Sequence, residues 1–437
     1  MTSSLNIALP TIGDELTMDA ISLSWVTTAY LLASVVLMVP FGRIADIYGR
    51  KKVYSWGAIV FFVTSVLLIF TNSSEMLLAL RFFQGVGGAM TFSTSVAILT
   101  SAFPTGNRGR VLGLATGAVY IGFSIGPFLG GVLTEFFGWR SIFWVTTLLG
   151  LVIIILIFWK LKGDWVEAGE QRFDIVGSIL YSITIVALVY GFTHLPDLVG
   201  FVLVALALAG LAAFIIFEGR VQSPVVDINL FRKNRTFAFS CAAALINYGA
   251  TWSVVFLISL YLQYIKGLSP PIAGLVMISQ PVVQAAFSPL AGRISDRIET
   301  RLVASAGMAC TFLGMVALAF FNRETSLIQV IIGLVFLGFG FALFASPNTN
   351  AGMNSVGKRS YGVASASIAT MRQIGMIVSM GIVMLLFNLY IGREQITPEY
   401  YDAFLISARV SFIISAVLCF LGIFASLARG PAPDDSD

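Results

Sequence analysis

The chain has 437 residues, 57% of them hydrophobic and only 11% charged, with a mean hydropathy of +0.91. A soluble domain carries about 25% charged residues, so composition excludes one; apolar runs of about 20 residues, rather than alternating ten-residue segments, also exclude a β-barrel. The formal charge of +4 is spread over short loops and offers no face for nucleic acid, and one His with three scattered Cys supplies neither a metal set nor a disulfide framework.

In chain order, the stretch 1–12 is apolar but rises only ~18 Å as a helix. It ends in Ala8-Leu9-Pro10, followed by Asp14 and Glu15. It reads as the outer end of an incomplete first helix, so a complete protein is expected to have 14 spans. Membrane-length apolar spans follow at 23–42, 53–71, 76–100, 109–133, 141–160, 174–193, 198–218, 236–264, 270–291, 302–321, 326–346, 361–391 and 404–427. Of the 26 Lys and Arg, 19 fall in alternate loops and tails on one side. Only Arg140, Lys266, Arg323 and Arg393 fall on the other, and Arg81, Arg372 and Arg409 lie inside spans. Basic residues flanking spans stay cytoplasmic, which predicts a multi-pass protein of the cell membrane with both termini in the cytoplasm.

The most informative segment is 42–52, Gly-Arg-Ile-Ala-Asp-Ile-Tyr-Gly-Arg-Lys-Lys. Gly42 and Gly49 permit a tight turn. Asp46 stands three residues after Arg43 and four before Arg50, so the charges can meet if the segment is helical. Two readings are open: a gate held by an ion pair, or charges that only set topology. A weaker copy begins 250 residues later with Gly292, Arg293, Asp296 and Arg297.

Arg81 lies inside span 76–100, with Gln84 one turn deeper. A charge there must face protein or water, and Arg81 is near enough to the outer end to snorkel. Span 109–133 carries Gly113, Gly122, Gly126, Pro127, Gly130 and Gly131. Gly122, Gly126 and Gly130 recur every four residues and line one helix face, which suits close packing between the two halves; Pro127 permits a bend. Arg372 is a second intramembrane arginine. Gln280 and Gln284 share a helix face, and Tyr30, Tyr120, Asn247, Tyr248 and Trp252 add polar or aromatic surface for a cavity.

These segments resemble the major facilitator superfamily, in its 14-span drug:proton antiporter branch. The 42–52 loop is similar to the family's signature between helices 2 and 3, and Arg81-Phe-Phe-Gln84-Gly85 to its fourth-helix motif. The glycine pattern of 113–131 is similar to the antiporter motif of its drug exporters. Asn6-Ile-Ala-Leu-Pro10, Gly138-Trp-Arg140, Leu230-Phe-Arg-Lys-Asn-Arg235, Ala345-Ser-Pro-Asn-Thr-Asn350 and Met371-Arg-Gln-Ile-Gly375 extend the resemblance over the whole chain.

The resemblance implies an all-α polytopic fold of two six-helix bundles plus two extra central helices. It divides the chain into residues 1–161, a linking segment 162–234 with the extra pair, residues 235–428, and a disordered tail 429–437. It implies a secondary exporter of amphipathic small molecules, driven by protons through alternating access. The exporter would be monomeric and free of cofactor, with Arg81, Gln84 and Arg372 coupling substrate to protons. A metabolite exporter or an uptake transporter is the alternative. An intramembrane enzyme would need clustered Ser/His or paired acids within spans, and the chain has no Gly-Lys-Ser/Thr loop for ATP. One departure stands out. Such antiporters usually carry an acid in helix 1, nine residues before the Ala-Leu-Pro proline, and here that position is Met1.

Overall fold

The computed structural model describes residues 2–102, 108–166, 173–221, 228–295, 297–357 and 361–429. In a bilayer every backbone polar group must be bonded within its own segment, and the apolar runs accordingly form helices. They are α1 (Thr2–Glu15), α2 (Ala20–Tyr48), α3 (Arg50–Ile69), α4 (Ser74–Ala102), α5 (Arg108–Phe137), α6 (Arg140–Lys160), α7 (Ile175–His194) and α8 (Leu198–Glu218). The short α9 (Ile228–Lys233) leads to α10 (Arg235–Leu260), α11 (Pro270–Met277), α12 (Ser279–Ser295), α13 (Thr300–Ala319), α14 (Leu327–Asn354), α15 (Tyr361–Tyr390) and α16 (Tyr401–Leu427). Among the described residues, thirteen helical spans are long and apolar enough to cross a membrane, in the places the sequence marks. Polar side chains set several starts: Asp19 accepts from the Ser22 amide at 2.7 Å, Asn234 from the Phe237 amide at 2.9 Å, and Ser326 and Gln329 form a reciprocal cap.

Two spans are less regular than their hydropathy suggests. The span expected at 236–264 ends in a π turn, Tyr261–Ile265. The span expected at 270–291 is broken at Ile278, because Pro281 has no N–H for the Met277 carbonyl. Helix α14 also runs two turns beyond the expected end, to Asn354.

Helices α2, α3, α4 and α6 pack side by side, as do α10, α13, α14, α15 and α16. The extra helices α7 and α8 pair with each other, and α7 leans on both groups. Tyr181 donates to the Val35 carbonyl of α2 at 3.1 Å, and Asn388 of α15 to the Leu195 carbonyl at 2.6 Å. Helix α8 turns Leu198, Phe201, Leu206 and Leu208 outward, a surface suited to lipid tails. The largest buried cluster joins Ile7, Leu9, Trp139, Leu257, Tyr261, Phe387 and Phe412. It lies at the end of the bundle opposite the basic loops, here termed the far end.

Candidate functional site

At the far end the first and second groups of helices are tied together. Pro10 has no N–H, so the Asn6 carbonyl, four residues earlier in α1, lacks its helical donor. Ser259 of α10 supplies one, its hydroxyl donating to that carbonyl at 2.6 Å. Gln263 donates to the Ile7 carbonyl at 2.9 Å, and the Tyr264 hydroxyl lies 3.5 Å from the Pro10 carbonyl. Gln263 and Tyr264 belong to the π turn, a distortion common at functional sites. None of these three was singled out from the sequence. The signal available was a proline in a short apolar helix and a polar pair at the end of an apolar span.

The glycines of α5 complete this closure, though not as the four-residue spacing suggests. A Cβ on Gly130 would stand 2.5 Å from the Ser4 carbonyl oxygen, and one on Gly126 would crowd the Ser3 hydroxyl. The Gly126/Gly130 face therefore packs on α1. The contact with α11 is made one residue along. A Cβ on Gly131 would stand 2.8 Å from Cα of Pro271, and one on Gly274 of α11 would stand 2.9 Å from the Pro127 carbonyl carbon. Neighbouring residues on a helix point about 100° apart, so Gly126/Gly130 and Pro127/Gly131 serve two different partners. Gly117 and Gly122, nearer the basic end of α5, have open space where a Cβ would be. Gly113 and Tyr120 belong to α5, but their surroundings lie outside what the structure describes.

At the basic end, Asp46 and Arg50 meet, with Oδ1 2.8 Å from Nη2 and 2.9 Å from Nε. Arg50 is 6% exposed and also donates through Nη1 to Ser101 of α4 at 2.7 Å. Gly49 has φ +117°, a conformation that side-chain-bearing residues rarely adopt, and a Cβ there would lie 2.7 Å from Cγ of Asp164. Asp164 was not flagged by the sequence. It accepts from the Lys51 amide at 2.9 Å, placing a negative charge at the positive N-terminus of α3. The Arg50 amide donates to the Trp165 carbonyl at 3.0 Å. The 42–52 loop is thus bolted to α4 and to the linker after α6. In the second copy, Gly292 has open space and Arg293 is exposed; Asp296 lies outside the described residues.

Arg81 does not snorkel. It is 4% exposed and donates through Nε to the Val26 carbonyl of α2 at 3.1 Å and through Nη1 to Gln84, while its guanidinium lies 4.6 Å from the Tyr30 ring centroid. Gln84 in turn donates to Ser65 of α3 at 2.8 Å. Arg81 therefore pins α4 to α2. Arg372 is half-buried on α15; it donates to the Thr349 hydroxyl of α14 and lies 5.6 Å from the Tyr248 ring of α10. Asn247 is fully buried, Gln280 is 7% exposed with its carbonyl under Gly338, and Gln284 is half-buried. Among the described residues, every Asp and Glu lies in a loop or within a turn of a helix end.

The chain matches the sequence profile of the Major Facilitator Superfamily over residues 1–379 and again over 240–437. It belongs to that superfamily. The riboflavin transporter RibZ of Clostridioides difficile (strain 630) is 28% identical, over 97% of this chain and 93% of that protein. The multidrug resistance protein Stp of Mycobacterium tuberculosis (strain CDC 1551 / Oshkosh) is 32% identical, over 85% of this chain and 70% of that protein. A bacterial homologue of the human lysosomal transporter Spinster, solved in an inward-facing and occupied conformation, superposes with a TM-score of 0.66 at 15% identity, over 98% of this chain and 92% of that one. The chain is a multi-pass membrane transporter of small molecules, and not an enzyme.

Proposed function

We propose that this transporter exports amphipathic small molecules or drugs in exchange for protons, as a monomer in the cell membrane, with its termini and basic loops in the cytoplasm. The observation that carries the reading is the asymmetry of α5. Pro127 and Gly131 press against α11 at the far end, while Gly117 and Gly122 have open space nearer the basic end. With the basic loops cytoplasmic, this is an inward-facing arrangement, with the outer gate shut. Segments 1–161 and 235–428 are the halves that rock about a site at mid-depth. The Asp46–Arg50 pair, fixed to α4 and the Asp164 linker, is the rigid corner that docks when the cytoplasmic side closes. Similarity to a multidrug resistance protein supports export. Similarity to a riboflavin transporter supports the second reading, a dedicated metabolite carrier. Inverted vesicles given a panel of dyes, with and without a proton gradient, test the proposal. Gradient-dependent uptake of several unrelated dyes is expected, and gradient-independent movement of a single compound would favour the second reading.

A further inference from the structure

Among the described residues, the middle of the membrane-spanning region holds a reachable cation and no acid. Arg81 is sealed and engaged by Val26, Gln84 and Tyr30. Arg372 is not sealed. It lies 11 residues into α15, about 16 Å along the helix axis from its basic end. Its side chain is half-buried, and among the described residues its one hydrogen-bond partner is the Thr349 hydroxyl and its buried Nε has none. Tyr248 presents an aromatic face to the guanidinium at 5.6 Å, and Phe341 stands edge-on to Tyr248 at 5.7 Å. Asn247, next to Tyr248 in α10, is fully buried, and neither of its amide atoms is bonded among the described residues.

A guanidinium in a span needs a counter-charge or several acceptors. Thr349 gives it one neutral oxygen, and no described Asp or Glu lies at this depth. A planar fork over an aromatic ring is suited to a carboxylate, sulfonate or phosphate whose apolar body stacks on that ring. We propose that Arg372, Thr349 and Tyr248 form the substrate's polar anchor, and that the substrates are amphipathic anions. This deepens the export reading and rests on it. A cation placed 5 Å from the guanidinium would be disfavoured by a few hundredfold at an effective dielectric constant of about 20. Partial exposure of Arg372 reduces that to an expected selectivity of at least about tenfold for anions.

Binding and transport are measured on the full chain with two dyes, the anion carboxyfluorescein and the cation ethidium. Fluorescence anisotropy on purified protein should show carboxyfluorescein bound at least tenfold tighter than ethidium. R372Q should weaken carboxyfluorescein at least tenfold and leave ethidium unchanged or tighter, and R372K should recover part of the loss. On the unmodified protein, benzoate should displace carboxyfluorescein and the isosteric, uncharged benzamide should not, which settles the matter even if R372Q fails to fold. Ethidium bound as tightly as carboxyfluorescein, equal displacement by benzamide, or a stable R372Q with unchanged carboxyfluorescein affinity would each overturn the anion site. Proteoliposomes separate the two proposals. Movement of ethidium without carboxyfluorescein keeps export and removes the anion site; Arg372-dependent binding of carboxyfluorescein with movement of neither dye keeps the site and removes export.

Discussion

Gly131 is where a single methyl group should move the whole conformational equilibrium. A Cβ there would stand 2.8 Å from Cα of Pro271, whereas ordinary contact begins at 3.4 Å, so α5 and α11 must part by about half an ångström or more. The opposing atoms are backbone and cannot rotate away. Overpacking of this kind typically costs about 1–3 kcal/mol. In the proposed cycle the contact exists only while the far end is closed, so the strain falls on that state alone. A shift of 1–3 kcal/mol changes the ratio of outward-closed to outward-open molecules by roughly 5- to 150-fold. Gly126→Ala is the control. Its nearest neighbour is the Ser3 hydroxyl of α1, which can turn aside, and in the proposed cycle α1 and α5 move together. Spin labels on the far ends of α1 and α11 report the opening as a distance. Gly131→Ala should populate a longer distance and raise far-end labelling of nearby cysteines; Gly126→Ala should do neither. Equal effects of the two, or no change with Gly131→Ala, would refute the assignment of this contact to the outer gate.

Other substitutions follow from the same geometry. Asp46→Asn removes the carboxylate that pairs with the buried Arg50 guanidinium; efflux should fall strongly while the amount of protein in the membrane holds, as quantitative blotting beside dye efflux will show. Ser259→Ala strands the Asn6 carbonyl, a loss of about 1–3 kcal/mol, and should raise far-end accessibility as Gly131→Ala does; unchanged labelling would mean water replaces the hydroxyl without penalty. Arg81→Lys keeps the charge but loses the fork that holds Val26 and Gln84 together. Dye binding should persist and proton-driven efflux should drop, and parallel loss of both would make Arg81 purely structural.

Span positions were legible because hydropathy and helix length are set by the bilayer, whatever the tertiary contacts. The near-match of all 13 spans reflects that. Partner identity was not legible in the same way. The repeat of Gly122, Gly126 and Gly130 marks a close-packing face, but periodicity cannot say which helix fills it; α1 fills it at Gly126 and Gly130, and Gly122 is left open. Arg81 shows the same limit: its distance from the helix end permits snorkelling, and only the nearby Val26 carbonyl and Tyr30 ring explain why it turns inward. Asp164 was invisible because its role depends on a loop returning to the start of α3 more than a hundred residues away. Ser259 and Gln263 were hidden in an apolar span, and their role appears only when Pro10 leaves a carbonyl bare.

The absence of a mid-depth acid among the described residues bears on energetics as well as on selectivity. An exporter of monovalent cations that exchanges each for one proton moves no net charge, and the membrane potential neither helps nor hinders it. If the anchor at Arg372 takes a monovalent anion, exchange of that anion for one entering proton moves two charges down an inside-negative potential. Each charge contributes about 2.3 kcal/mol per 100 mV, so 100 mV alone would support an accumulation ratio of roughly two thousandfold for two charges. Potential would then drive export directly, in addition to any pH difference. Proteoliposomes loaded with potassium and treated with valinomycin impose the potential without a pH difference. Carboxyfluorescein should then move toward the positive compartment at a rate that rises with the imposed potential, and should slow when the potential is collapsed. Rates indifferent to the potential and responsive only to a pH difference would show that charge is balanced during the cycle, and that a titrating group other than the described mid-depth residues carries the proton.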